Sequence, residues 1–186
     1  MKRLCIVFFL VSALSVGFTA SAYAVGHGSD DGFGALVINL GLVQTFYDDS
    51  VGSFLGFGLT DRAYFSENWG MEIGFVYGSY GYETYSSGYY NYWTSDYLST
   101  YINVMYRHSF FCISGLYTTF GGGFTFAMDA FESIALGLNI KAGMEWWFTR
   151  GLFITADMTF HALYDFDWEE VVSTVPYFTV GFGFRI

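Results

Sequence analysis

Disulfide-forming cysteine, positive charge and long apolar runs are all scarce in this chain, and each scarcity excludes something. Of the two cysteines, Cys5 falls in a leader, and Cys112 alone has no internal partner. A fold stapled by disulfides is therefore excluded. Seven Lys and Arg face seventeen Asp and Glu. So acidic a surface repels nucleic acid and other phosphate-rich partners. Beyond the leader, no apolar run reaches the roughly 20 residues that a membrane-spanning helix needs. An inner-membrane helical protein is excluded on that ground.

What is present is hydrophobicity in broken form. Apolar residues make up 53% of the chain and aromatics 23%, with 23 Gly and a single Pro, Pro176. A disordered chain would be poor in aromatics. Lys2-Arg3, the apolar Leu4 to Val16 and Ala22-Tyr23-Ala24 form the basic, hydrophobic and cleavage regions of a secretory signal peptide. The expected organisation is a signal peptide over 1–24, a short segment over 25–33 and one domain over 34–186. Cys5 precedes the apolar core and so is not a lipoprotein cysteine.

The domain alternates with a period of two, which sends successive side chains to opposite faces of a strand. Eight strands are expected. The first covers Gly34 to Phe46, with Leu36, Ile38, Leu40 and Leu42 outward and Asn39 and Gly41 inward. The second covers Phe54 to Phe65 and the third Gly70 to Tyr80, joined by Ser66-Glu-Asn-Trp69. A loop over Gly81 to Ser95 leads to the fourth, Asp96 to Arg107, and a turn over His108 to Ser114 to the fifth, Gly115 to Ala127. The sixth covers Ile134 to Phe148 and the seventh Leu152 to Tyr164. A loop over Asp165 to Val175 precedes the eighth, which runs to Ile186. High hydrophobicity in strands of about ten residues is what an eight-stranded transmembrane barrel requires, because lipid faces one side of each strand. The fold class is therefore all-β, an antiparallel up-and-down transmembrane β-barrel.

The charges follow the same alternation. Five basic residues remain after the leader, and four of them, Arg62, Arg107, Lys141 and Arg185, take inward positions, with Arg150 in a turn. The strand acids Glu72, Glu145 and Asp157 also fall inward. A Lys or Arg facing lipid at mid-membrane costs about 2–4 kcal/mol, so a barrel must hide it. Buried charges need partners. The expectation is a network of ion pairs among Arg62, Glu72, Arg107, Lys141, Glu145, Asp157 and Arg185. An interior of eight strands is narrow enough for side chains to fill, so the network would plug it rather than gate a pore.

No enzyme chemistry, cofactor or metal centre is expected. His27, His108 and His161 form no metal-ligand spacing, and His161 reads as a polar residue at the rim. Gly56-Phe-Gly58 and Gly121-Gly-Gly123 relieve crowding rather than cradle phosphate. The loops at one end hold Asp48, Asp49, Glu83, Asp96, Asp129, Glu132, Asp165, Asp167, Glu169 and Glu170, and no base. A solvated acidic surface is the plain reading, with a divalent-cation site at Asp165 to Glu170 as the alternative. Tyr85, Tyr89, Tyr90, Tyr92 and Trp93 fit two readings. They form an adhesive patch for an extracellular protein ligand, or they belong to the aromatic girdle where strands leave the membrane. Trp69, Trp146 and Trp147 fit the girdle at the opposite rim.

The final strand, Thr179-Val-Gly-Phe-Gly-Phe-Arg-Ile186, resembles the C-terminal signal by which bacterial outer-membrane barrels are recognised for insertion. Thr179, Gly181 and Phe184 match that pattern, and Ile186 stands where a terminal aromatic is usual. Tyr64-Phe65-Ser66-Glu67-Asn68-Trp69-Gly70-Met71-Glu72-Ile73-Gly74 is similar to the first periplasmic turn of the small eight-stranded families that include OmpX, the OmpA transmembrane domain and OmpW. That resemblance implies an integral outer-membrane location and contact with outer-membrane lipids. It also implies periplasmic chaperones and barrel-insertion machinery as partners during biogenesis. No cell-wall-binding domain is expected beyond the eighth strand. Phe160-His161-Ala162-Leu163 resembles the catalytic segment of lipid A deacylases, with Leu163 where their nucleophilic Ser stands. The expected role is structural and surface-interactive; the alternative is an OmpW-like narrow channel for small, mainly hydrophobic molecules.

Overall fold

Alternation sets the architecture. A computed structural model describes residues 32–47, 50–86, 89–110, 112–129, 133–165 and 170–186. Eight strands follow one another: β1 (Phe33–Tyr47), β2 (Ser50–Tyr64), β3 (Trp69–Ser86), β4 (Tyr89–Ser109), β5 (Leu116–Asp129), β6 (Ser133–Trp147), β7 (Leu152–Asp165) and β8 (Glu170–Arg185). Each pairs antiparallel with its neighbour, and β8 returns to β1, closing the barrel. Closure satisfies every sheet edge, which an open sheet exposing this much apolar surface would not do. The signal-peptide reading lies outside the described residues, as does most of the 25–33 segment.

Ile38, Leu40 and Leu42, expected to face outward, are exposed, and Leu36 is half-buried. Phe124 is 72% exposed, Leu55 67% and Val180 65%, although each sits in the middle of a paired strand. Inward positions carry Asn39, Thr60, Arg62, Glu72, Asn103, Lys141, Glu145 and Asp157, all buried. These charged side chains lie within, beside two buried hydrophobic clusters, and the exposed outer face of the strands is apolar.

Several strands run further than the alternation alone suggested. The loop expected over Gly81 to Ser95 is instead a continuation of β3 and β4, paired from Gly81↔Thr94 to Ser86↔Tyr89. Likewise β8 begins at Glu170, inside the stretch read as a loop, with Val171 and Val172 paired to Tyr164 and Leu163. Pro176 lies within β8, opposite Phe160, close to an irregularity of register between His161 and Leu163. Gly115, expected in a strand, ends the β4–β5 turn at φ +79°, a conformation that disfavours a Cβ. Its carbonyl accepts from Trp147 N–H at 2.8 Å, which ties this turn to β6. Phe148 leaves β6 for the turn into β7, bonding Leu152 O.

Both described chain ends and the connections after β2, β4 and β6 lie at one end of the barrel, the turn end. Ile186 N–H donates to Gly34 O there, and Arg185 N–H to Gly151 O, both at 2.9 Å.

Candidate functional site

Register brings the first charges together. Arg62 on β2 faces Glu72 on β3, and Glu72 faces Asn103 on β4. The remaining contacts cross the interior. The Arg62 guanidinium donates through Nε to Glu72 Oε2 at 3.1 Å, through Nη1 to Glu145 Oε1 at 2.6 Å and through Nη2 to Asp157 Oδ2 at 2.8 Å. Its fork suits several carboxylates at once. Lys141 Nζ lies 2.9 Å from Glu72 Oε2 and 3.1 Å from Asp157 Oδ2. Asn103 Nδ2 donates to Glu72 Oε1 at 2.9 Å. Arg107 stands 3.9 Å from Glu145 Oε2. Three cations thus meet three carboxylates, and the charge cancels.

Neutrality matters because the site is buried. Arg62, Glu72 and Glu145 have no exposed side-chain surface. An isolated charge in such a place costs several kcal/mol, which paired geometry with full hydrogen bonding offsets. Glycine makes room for the network. Gly143 faces Asp157 across β6 and β7, and a Cβ there would fall on the Asp157 carboxylate.

An aromatic floor closes the interior at the turn end. Phe33, Tyr64, Met105 and Phe153 pack together, with Trp147 against them. Trp147 stacks on Phe153 at 4.1 Å, and Phe33 on Tyr64 at 4.7 Å. Tyr64 OH and Trp147 Nε1 donate to the two Glu145 oxygens, the latter at 3.2 Å. The Arg107 guanidinium carbon lies 4.4 Å from the Tyr64 ring centroid, 4.6 Å from Tyr117 and 4.9 Å from Phe33. Cation–π attraction therefore assists a residue whose single ion pair is long. Its Nε donates to Glu67 O at 2.6 Å.

Above the charges lies a tier of neutral polar groups. Tyr101 OH and Asn39 Nδ2 meet at Thr60 Oγ1, at 3.0 and 2.9 Å. Asn139 Nδ2 donates to Thr125 Oγ1, which also contacts His161 Nδ1 at 2.9 Å. Tyr177 OH donates to Tyr97 OH. Gly74 is opposite Tyr101 in the register, and a Cβ there would lie inside the Tyr101 ring.

Six of the seven residues expected in the network meet in this way; Arg185 does not. It is exposed at the turn end, its guanidinium carbon 4.7 Å from the Phe33 ring, and makes no ion pair among the described residues. Its inward parity is right, but it is the last residue of β8, at the edge of the wall. Trp147, expected in the girdle, faces inward and forms part of the floor, whereas Trp69 and Trp146 are exposed. His161 is fully buried rather than at a rim, packed edge-on to Tyr177 at 4.3 Å. Alternation missed Phe33 and Tyr64, which stood at a segment end and beside a turn. It also passed over Asp61, a buried acid whose register position has outward parity between Leu36 and Ile73.

Of the insertion-signal residues, Thr179 and Gly181 take inward parity, while Phe184 and Ile186 are exposed on the outside. Among the acids expected in loops, Asp96 lies in β4 and accepts from Tyr77 OH at 3.2 Å. The side chains of the other nine, and of Tyr85, Tyr89, Tyr90, Tyr92 and Trp93, lie outside the described residues.

No protein-family model matches the sequence, and comparison with curated proteins finds no relative. Solved structures do match. The outer membrane protein OprG from Pseudomonas aeruginosa superposes with a TM-score of 0.62 at 13% identity, over 84% of this chain and 97% of its own. Neisserial surface protein A gives 0.60 at 10% identity, over 82% and 96%. The fold is that of the small outer-membrane barrels. Ail, the attachment invasion locus protein of Yersinia pestis, solved with the heparin analogue sucrose octasulfate, agrees at 0.58 and 15%, over 84% and 99%. These neighbours are integral barrels of the bacterial outer membrane. In such barrels the longer hairpins face the outside, and the longest strands here, β3 and β4, extend at the end opposite the turns, so the turn end is read as the periplasmic one.

Proposed function

We propose that this chain is a non-enzymatic, integral outer-membrane barrel with a plugged interior, serving envelope integrity and presenting its outer hairpins for interaction. The charge network carries this reading. Arg62 reaches from β2 to carboxylates on β6 and β7, so the ion pairs span the interior instead of lining one wall. With an aromatic floor below and a tyrosine tier above, a solute would have to part bonds between opposite walls. The C-terminal strand supplies the signal for insertion machinery, and the extended β3–β4 hairpin the surface on which an extracellular protein would dock.

Ail holds a sulfated heparin analogue. The outer connections of this chain contain acids and no base, so sulfated ligands are disfavoured and a basic protein partner suits them better. The second reading is a conduit for small apolar molecules. It draws on an outward groove lined by Ile73, Ile102, Phe124, Phe126, Leu136 and Leu138. The charged interior weighs against it.

The test is genetic. Expressing the chain in cells deleted for it should restore detergent resistance without raising uptake of a small dye. Raised uptake would favour the conduit, and unchanged resistance would remove the structural role.

A further inference from the structure

The periplasmic mouth concentrates almost all of the positive charge the interior leaves over. A concave site of about 400 Å³ is lined by Arg107, Arg150 and Arg185 together with Phe33, Tyr117 and Trp147. Three of the five basic residues after the leader line one small cavity in a chain that is otherwise strongly acidic. Arg107 is committed, through Glu145, the Glu67 carbonyl and three rings. Arg150 and Arg185 are exposed and have no ion pair among the described residues.

Local structure holds both in place. Thr149 Oγ1 accepts from Gly151 N–H at 3.2 Å and from Leu152 N–H at 3.0 Å, fixing the turn that carries Arg150. Arg185 N–H donates to Gly151 O at 2.9 Å, which brings β8 against that turn. The Phe33 ring has the Arg107 guanidinium at 4.9 Å and the Arg185 guanidinium at 4.7 Å. Like charges gathered in a concavity repel each other until an anion neutralises them, and paired guanidiniums match the oxygens of a phosphate.

We propose that this mouth binds the phosphate of an anionic lipid headgroup in the leaflet facing the periplasm. The site rests on the outer-membrane reading, which places its apolar surroundings at that leaflet. Phe148, exposed and part of the cavity lining, would contact the glycerol and the upper acyl chain.

The probe is phosphatidylglycerol. Protein purified from cells expressing the whole chain would be taken from nanodiscs of mixed phosphatidylcholine and phosphatidylglycerol, and its retained lipids counted by native mass spectrometry. One phosphatidylglycerol should be kept in preference to phosphatidylcholine. Arg150→Gln combined with Arg185→Gln should lower that preference about tenfold, the scale of one charge-assisted hydrogen bond. Both positions are exposed, and a heat-modifiable gel band would show that the variant is folded. Equal retention of the two lipids, or a variant that retains phosphatidylglycerol like the parent, would overturn the site while leaving the barrel intact. Saturation by soluble glycerol phosphate without phosphatidylglycerol enrichment would overturn the lipid assignment. A chain found in no membrane fraction would overturn the outer-membrane reading itself.

Discussion

Arg62 meets three carboxylates from three strands, so its removal unbalances the whole interior. Arg62→Ala should destabilise the folded barrel by about 3–5 kcal/mol, the usual cost of leaving buried charges unpartnered. Urea unfolding in vesicles, followed by Trp fluorescence, would measure it. Arg62→Lys keeps the charge but not the fork, and should fall between the two. A subtler test is Gly143→Ala, where one methyl group would displace the Asp157 carboxylate; overpacking of this kind costs about 1–3 kcal/mol. The same change at Gly151, which has open space around it, should be nearly neutral and serves as the control. At this scale much was legible. Arg62, Glu72, Lys141, Glu145 and Asp157 all follow from parity, because a period of two leaves each charge only two faces to choose from. Phe33 and Tyr64 were not legible, since an aromatic at a strand end reads equally as floor, girdle or turn. Arg185 shows the limit of parity: it gives the direction of a side chain but not whether wall remains to cover it.

Strands read well in number and poorly in extent. Alternation gave all eight, but lengths were drawn from the thickness of a bilayer, about ten residues each. β4 runs to 21 residues and β3 to 18, because Tyr, Thr and Trp between Gly81 and Ser95 favour pairing whether or not lipid surrounds them. Val171, Val172, Thr174 and Val175 extend β8 for the same reason. A consequence is that β3 and β4 run well past the roughly ten residues that a spanning strand needs. Replacing residues 82–93 by a two-residue Asn-Gly turn should leave heat-modifiable folding unchanged, as checked by gel mobility, because the described members of the charge network all lie on other parts of the strands. The outer face is less tolerant. Phe124→Arg, at mid-strand and exposed, should cost about 2–4 kcal/mol in vesicles, whereas Phe148→Arg at the rim should cost about 0–1 kcal/mol. Similar losses at both positions would show that lipid does not surround β5.

Across the whole molecule, charge is sorted along the barrel axis. Cations without internal partners gather at the turn end, neutralised pairs fill the middle, and ten of the seventeen acids belong to the connections and strand ends opposite. Such sorting suits a barrel with one face toward phospholipid and one toward solvent. The closed eight-stranded topology was legible because only a barrel reconciles this hydrophobicity with period-two alternation. The transverse contacts were not, since no local pattern says that β2 reaches β6 and β7. The plugged interior depends on those contacts, and single-channel recording in planar bilayers tests it most directly. The parent should show no discrete conductance at moderate voltage, while Glu72→Ala, which strips Arg62, Lys141 and Asn103 of a shared partner, should show steps. Steady channel openings in the parent, unchanged by Glu72→Ala, would contradict an interior closed by ion pairs.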